Sequence, residues 1–366
     1  MNKKSKPRIV AYSQHLPPHP NAGSPRGYSF CREIAKWTEC IVLAPTRDVS
    51  PIENVAAIRL KSGQVDNSKS LPKRTLGEIK NAIDAILGLE GKGHPDAVLI
   101  SLPFFMSALF LALWCCLRKY RYVLDVGNIY PDVYVHRGVL RRASIAYRVI
   151  DKLSNHAYRH PLMNFAATLG RKRQLDVRTD SKLKYHLIHN GLSENLTRHY
   201  YRKLDRFTVV FHGIMSHFQD TEALVYLAQR LREHDIDFVV IGYSPKEHLI
   251  VSCTSSSLTF LCKLPHDETL TPVGSCYLGV SSRSNDEISK DVFPVKVWEY
   301  MRLGIPVLVT PKSEVGRFPE RTGCGVQFDP TGHHQLIAEI VRILRDPSIL
   351  QGYVDATSEI SNGYTR

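Results

Sequence analysis

Residues 291–311 read D-V-F-P-V-K-V-W-E-Y-M-R-L-G-I-P-V-L-V-T-P, and the rest of the chain is organised around them. Pro294 suits the first turn of a helix, where its missing N–H costs nothing. Val295, Trp298 and Met301 follow at helical spacing and supply a face to bury. Gly304 is placed to end the helix as a C′ residue with positive φ. Residues 305–310 are a short apolar, partly β-branched run, the pattern of a buried parallel strand. Lys296 and Glu299 stand three residues apart on one helical face, and Asp291 lies in the loop at the helix's mouth. As a surface ion pair, Lys296 and Glu299 would contribute only a few tenths of a kcal/mol.

The grouping has a second use. Helix amides and a lysine favour phosphate oxygens, and a carboxylate can accept hydrogen bonds from paired sugar hydroxyls. A nucleotide-sugar presents both kinds of group. The stretch resembles the acidic-x7-Glu segment of family-4 retaining glycosyltransferases, in the variant P-x-K-x-x-E-Y-M-x-x-G-x-P-V. Asp291, Pro294, Lys296, Glu299, Tyr300, Met301, Gly304, Pro306 and Val307 all fall on that pattern. Asp291 stands where the family usually has Glu, so this carboxylate is one methylene shorter.

Length and composition agree with an enzyme of this size. The 366 residues exceed one typical core and fit two domains, and 43% hydrophobic with 23% charged content is ordinary for a globular protein. No two of the eight cysteines form C-x-x-C, which reads as free thiols in a reducing cytoplasm. The 16 histidines show no zinc-ligand spacing along the chain, and no metal is expected. The net charge of +13 is uneven. Residues 1–206 hold 34 Lys/Arg against 16 Asp/Glu, whereas residues 207–366 hold 14 against 19. The first half is therefore the one to meet an anionic partner. It carries no nucleic-acid module and no stacking platform, so an anionic membrane surface is expected rather than nucleic acid.

Along the chain, apolar strand-like runs alternate with amphipathic helical ones in both halves, which predicts two parallel sheets. In the first half, strands are read at 9–13, 40–44, 97–101, 122–126 and 186–189, with a weak one at 58–60. Helices are read at 28–37 and at the end of the basic stretch 68–87. Residues 102–117 form the most apolar run, too short for the roughly 20 residues that span a bilayer and better suited to a buried helix. From Arg118 to Arg178, 13 Lys/Arg face four Asp, too lopsided for i,i+4 pairing alone. Arg141-Arg142 and Arg171-Lys172-Arg173 are the clusters expected at an anionic surface. In the second half, strands are read at 207–213, 238–243, 258–261, 276–280 and 325–329, helices at 221–234 and 333–345, and a loop at 313–320. The domains expected are 1–203 and 204–350, with 351–366 a tail that reads as an abbreviated or truncated crossover segment.

The resemblance covers nearly the whole chain and implies a GT-B architecture, two Rossmann-like parallel-sheet domains facing a cleft. It implies glycosyl transfer with retention, needing no cofactor, from a nucleotide-sugar donor to a glycan or lipid-linked acceptor, at the inner face of the cell membrane. Lys296, with amides near Pro294 and Val295, would neutralise the leaving diphosphate; Asp291 would hold the donor sugar and Glu299 the ribose. Gly23, in the loop before the first helix, would approach donor and acceptor, and Gly213 and Gly242, closing two second-half strands, would line the donor. The N-G of Asn190-Gly191 matches the family's domain junction. Asn128, in the loop G-N-I-Y-P-D, stands where an Asp is expected; an amide can orient a hydroxyl but cannot take its proton. The loop 213–219 lacks the Arg and Lys with which the family grips the diphosphate. These departures keep open a binding protein that has lost catalysis, or a sugar-nucleotide epimerase of the same fold.

Overall fold

The short β-branched runs pair only in parallel, and helices cover both faces of the sheets they make. The structure is a computed structural model that describes residues 6–17, 24–45, 49–65, 70–101, 105–180, 185–191, 201–215, 219–243, 247–252, 257–262, 264–329 and 332–363. Gly23, residues 102–104, 192–200 and 216–218 of the segments discussed above lie outside them. The chain divides into two compact units, Met1–His189 and Asn190–Arg366.

The first unit begins β1 (Arg8–Tyr12), α1 (Ser24–Ala35), β2 (Glu39–Ala44), β3 (Val55–Arg59) and α2 (Leu71–Glu90). It continues β4 (Ala97–Ser101), α3 (Phe105–Arg118), β5 (Tyr122–Val126), α4 (Asp132–His136) and α5 (Ile145–Arg159). It ends with β6 (Met163–Ala166), α6 (Leu169–Thr179) and β7 (Tyr185–Leu187). The sheet order is β3-β2-β1-β4-β5-β6-β7, so the chain reverses direction between β1 and β4. The basic stretch after Arg118 thus holds, besides β5, three helices and a strand that were not read from the sequence. Ser144 and Thr168 cap α5 and α6, accepting from the N–H groups of Tyr147 and Arg171.

The second unit opens with β8 (Thr208–His212), α7 (Thr221–Leu231), β9 (Asp237–Ile241), α8 (Glu247–Val251), β10 (Leu258–Leu261) and α9 (His266–Gly274). Then come β11 (Leu278–Ser282), α10 (Glu287–Lys290), α11 (Val295–Arg302), β12 (Val307–Thr310) and α12 (Glu314–Thr322). It closes with β13 (Gly325–Gln327), α13 (His333–Arg345) and α14 (Pro347–Gly363). Its order, β10-β9-β8-β11-β12-β13, repeats the reversal, now between β8 and β11. One core lies between the sheet and α7 and α13; the other is built on Trp298, Tyr300 and Met301 of α11.

Three expectations are corrected here. Residues 313–320, read as a loop, fall in α12 and its N-cap, with Gly316 and Pro319 inside the helix. Ser313 accepts from Gly316 N–H at its start, Gly323 (φ 71) ends it, and Val315, Gly316 and Pro319 are buried. Residues 201–203, expected at the end of the first domain, belong with 204–206 to the second unit: Leu204 N–H donates to Ser275 O, and Lys203 Nζ to Cys276 O (2.5 Å). The segment 351–366 begins inside α14, which packs on α11 and α13. All seven described cysteines are free, with Cys262 exposed and Cys116 half-buried. No helix among the described residues is long and apolar enough to cross a membrane.

A Cβ added at Gly279, at the start of β11, would fall 2.5 Å from Tyr300 Cγ. Gly279→Ala is expected to destabilise the protein by about 1–3 kcal/mol through overpacking. Gly352→Ala, in α14 with nothing within 4 Å, is expected to be neutral or slightly stabilising. Urea denaturation of both variants checks the contrast.

Candidate functional site

The sequence builds α11 as expected. Pro294 (φ −64, ψ 139) stands at the N-cap, and the C-terminus closes as a Schellman motif: Gly304 N–H to Met301 O and Ile305 N–H to Tyr300 O, with Gly304 at φ 72. What the sequence does not announce is the depth of burial. All six residues from Lys296 to Met301 are buried, so the helix is sunk into the unit. Trp298 stacks on Phe293 with ring centroids 4.6 Å apart.

Tyr300 explains how the helix sits there. Strands β8 and β11 pair only at Val209/Leu278 and Val210/Gly279 and then part. The Tyr300 hydroxyl occupies the gap, accepting from His212 N–H (3.1 Å) and facing the carbonyls of Val210 and Val280, each at 3.3 Å. Burial holds this phenol far above its usual range, so it remains a neutral hydrogen-bonding peg. Backbone groups left unpaired by the splay are thereby satisfied. Open α/β sheets bind ligands at such a reversal point, outside the carboxyl ends of the strands.

Lys296 lies at that point. Its Nζ is 3.7 Å from the centroid of the Phe211 ring and has no hydrogen-bond partner among the described residues. Burial pushes its pKa down to about 7, nearby Arg283 pushes the same way, and Glu299 opposes them. Gly213 (φ +117) and Gly242 (φ +150) form the adjoining backbone. A Cβ on Gly213 would meet Lys296 Nζ at 3.2 Å, and one on Gly242 would strike Gly213 O at 2.1 Å. Only glycine permits this approach, which leaves Gly213 and Gly242 presenting bare backbone on that side of the ammonium. Glu299 is buried one turn further along α11, its Oε2 3.4 Å from His212 Nε2. Asp291 is half-buried in the turn between α10 and α11, and Asn190 Nδ2 donates to Phe293 O in the segment beside it (3.2 Å).

Lys296, Glu299, Gly213 and Gly242 therefore come together, with Pro294, Val295 and Asp291 at the mouth of the same helix. Two residues absent from the sequence reading join them. Arg283 follows β11, is buried, and donates its N–H to Thr310 O (2.9 Å). His212 ends β8 beside Glu299. Arg283 supplies a second cation where loop 213–219 has none. Its signal was an arginine just beyond the strand read at 276–280, which becomes informative only when that strand is known to adjoin β8.

Asn128 belongs to the first unit, in the loop leaving β5. Its Oδ1 accepts from Arg171 Nη2 at 3.3 Å. Arg171 is 2% exposed, which removes it from the surface cluster expected at residues 171–173; Lys172 pairs with Asp176 (2.8 Å). The same end of β5 carries Asp125, held by Arg26 through three hydrogen bonds of 2.7–3.0 Å.

Comparison with solved structures places the whole chain in one architecture. Sucrose-phosphate synthase from Thermosynechococcus elongatus matches with a TM-score of 0.72 and 14% identity, over 97% of this chain and 95% of that one. WaaG, a glycosyltransferase involved in lipopolysaccharide biosynthesis, matches at 0.70 and 11%, over 97% and 95%. Anabaena HepE in complex with UDP-glucose matches at 0.68 and 14%, over 98% and 95%. Two UDP-N-acetylglucosamine 2-epimerases share the fold at TM-scores of 0.58 and 0.57. No protein-family model and no curated protein sequence matches the chain. The fold is GT-B, two Rossmann-like α/β units of the kind found in glycosyltransferases.

The buried lysine has a consequence for stability. Its pKa is lowered from 10.5 to about 7 in the folded chain, so between these values the unfolded chain binds more protons and stability rises with pH. Below pH 7 the full penalty applies, on the order of 3–5 kcal/mol; above 10.5 it vanishes. Lys296→Met is therefore expected to be more stable than the parent at pH 7 and to lose the upward slope between pH 7 and 10. Denaturant melts across that range measure both effects.

Proposed function

We propose that this chain is a retaining glycosyltransferase, the second unit binding a nucleotide-sugar and the first its acceptor. The observation that carries this reading is Lys296, a buried amine without a hydrogen-bond partner among the described residues, set against the bare Gly213–Gly242 backbone beside a second buried cation. A protein tolerates that cost where an anion arrives to share the site. The similarity to WaaG and to HepE bound to UDP-glucose supports a nucleotide-sugar as the anion.

In this reading the diphosphate settles against Lys296, Arg283 and the amides at the start of α11. Charge developing on the leaving phosphate is met by groups already in place. Asp291 holds hydroxyls of the donor sugar, and Glu299, oriented by His212, accepts from the ribose. Asn128 positions the acceptor hydroxyl, and the leaving phosphate takes its proton. Binding of the diphosphate restores full charge to Lys296, so above pH 7 it draws a proton from solution.

Calorimetry with UDP, GDP, ADP and their glucose conjugates tests the site. One nucleotide is expected to bind with proton uptake at pH 8, seen as a dependence of the heat on buffer ionisation enthalpy. Lys296→Ala and Glu299→Ala are each expected to weaken it by about 1.5–3 kcal/mol, with uptake lost in the lysine variant. Unchanged affinity in both variants would remove the assignment. Product analysis without acceptor separates transfer from epimerisation.

The acceptor is proposed to be lipid-linked, reached from an anionic bilayer to which the protein binds peripherally. Helix α5 supports this. Ile145, Val149 and Leu153 are exposed at helical spacing, with Arg148 and Lys152 exposed between them and Arg141 and Arg142 just before the helix. Each basic residue near such a surface contributes about 1 kcal/mol. Co-sedimentation is expected to rise with phosphatidylserine and fall with salt, and to weaken in Val149→Glu. Equal partitioning onto neutral vesicles would overturn the electrostatic account.

A further inference from the structure

A separate cluster lies where α3 and α5 pack together in the first unit. Cys116 is on the last turn of α3. His156 and His160 stand four residues apart at the end of α5, and one donor atom from each of the three residues lies within 4.8 Å of the others. The rings of His156 and His160 are 4.2 Å apart, and both side chains are exposed while the cysteine is half-buried.

We propose that Cys116, His156 and His160 form a zinc site that ties α3 to α5, with the fourth coordination position facing solvent. Thiolate and imidazole are the donors that Zn2+ takes, at about 2.3 and 2.0–2.1 Å. Tetrahedral closure at those lengths needs ligand atoms about 3.3–3.8 Å apart. Movement of about 1 Å within exposed side chains supplies it. The local hydrogen bonds favour the arrangement. His160 Nδ1 lies 2.7 Å from His156 O, which puts a proton on Nδ1 and leaves Nε2 with its lone pair. Such a backbone contact is what orients a zinc-bound imidazole. Tyr122 Oη donates to Ala157 O (2.8 Å), so the contact between Cys116 Sγ and Tyr122 Oη (3.2 Å) has the thiol as donor. On binding, Zn2+ replaces that thiol proton, which leaves to solvent.

Cobalt(II) reports the geometry directly. The full chain, kept reduced and stripped with chelator, is expected to bind one equivalent of Co2+ with near-ultraviolet thiolate charge transfer and the visible bands of a four-coordinate ion, all abolished by added Zn2+. Cys116→Ser is expected to lose the charge-transfer band, whereas Cys262→Ser, at an exposed cysteine, retains it. His156→Gln and His160→Gln are each expected to weaken Co2+ binding at least tenfold, with circular dichroism confirming that both remain folded. Zn2+ is expected to raise the Tm of the parent and not of Cys116→Ser. Absence of a thiolate band, its survival in Cys116→Ser, or affinities unmoved in both histidine variants would overturn the site.

Discussion

The constraint on which the second unit depends is the parting of β8 from β11, and the phenol of Tyr300 that fills the gap. A sheet that reverses its winding leaves backbone groups unpaired where the two central strands diverge. One neutral hydroxyl contacts His212 N–H and the carbonyls of Val210 and Val280. Because Tyr300 is rigidly part of α11, satisfying the backbone also sinks the helix, and with it Lys296 and Glu299, into the interior. Gly279 is the counterpart, a residue with no side chain exactly where the ring must pass. Packing and chemistry share the same few residues.

That sharing sets a conflict between stability and the anion binding proposed for the site. A buried amine with no hydrogen-bond partner among the described residues costs folding free energy at neutral pH, and Arg283 nearby increases the cost. Replacing the pair with apolar residues would give a firmer core and no anion site. The Gly213–Gly242 contact has the same character: two positive-φ residues that lose more chain entropy than any alternative, with the Gly213 backbone brought against the ammonium.

In the first unit, charge is arranged by the fold more than by sequence neighbours. Arg178 bridges Asp132 (2.7 Å) and Asp151 (2.6 Å), on two different elements, and Arg26 reaches Asp125 across 99 residues of chain. Arginine suits these positions because its planar fork makes several directed bonds at once. Asp125, Asp132 and Asp151 are engaged in this way, while Arg141, Arg142, Arg148 and Lys152 stay exposed on α5 and the segment before it.

Local features were readable from the sequence alone: the alternation of strands and helices, the ends of α11 at Pro294 and Gly304, and the grouping of Asp291, Lys296 and Glu299 along its first turns. Each depends on residues within a few positions of one another, where periodicity and backbone preference act. The sequence also carried misleading local signals, since Gly316 and Pro319 read as breakers inside α12, where Ser313, Gly323 and a buried face outweigh them. Tertiary structure alone decided what depends on strand order and helix packing. It brought Arg283 and His212 to Lys296 and Glu299, drew Arg171 inward to Asn128, and set Cys116 beside two histidines some 40 residues later. Charge and hydrogen-bonding capacity are written in composition. Which groups face each other is set by the sheet's reversal and by burial, neither of which acts between neighbours in sequence.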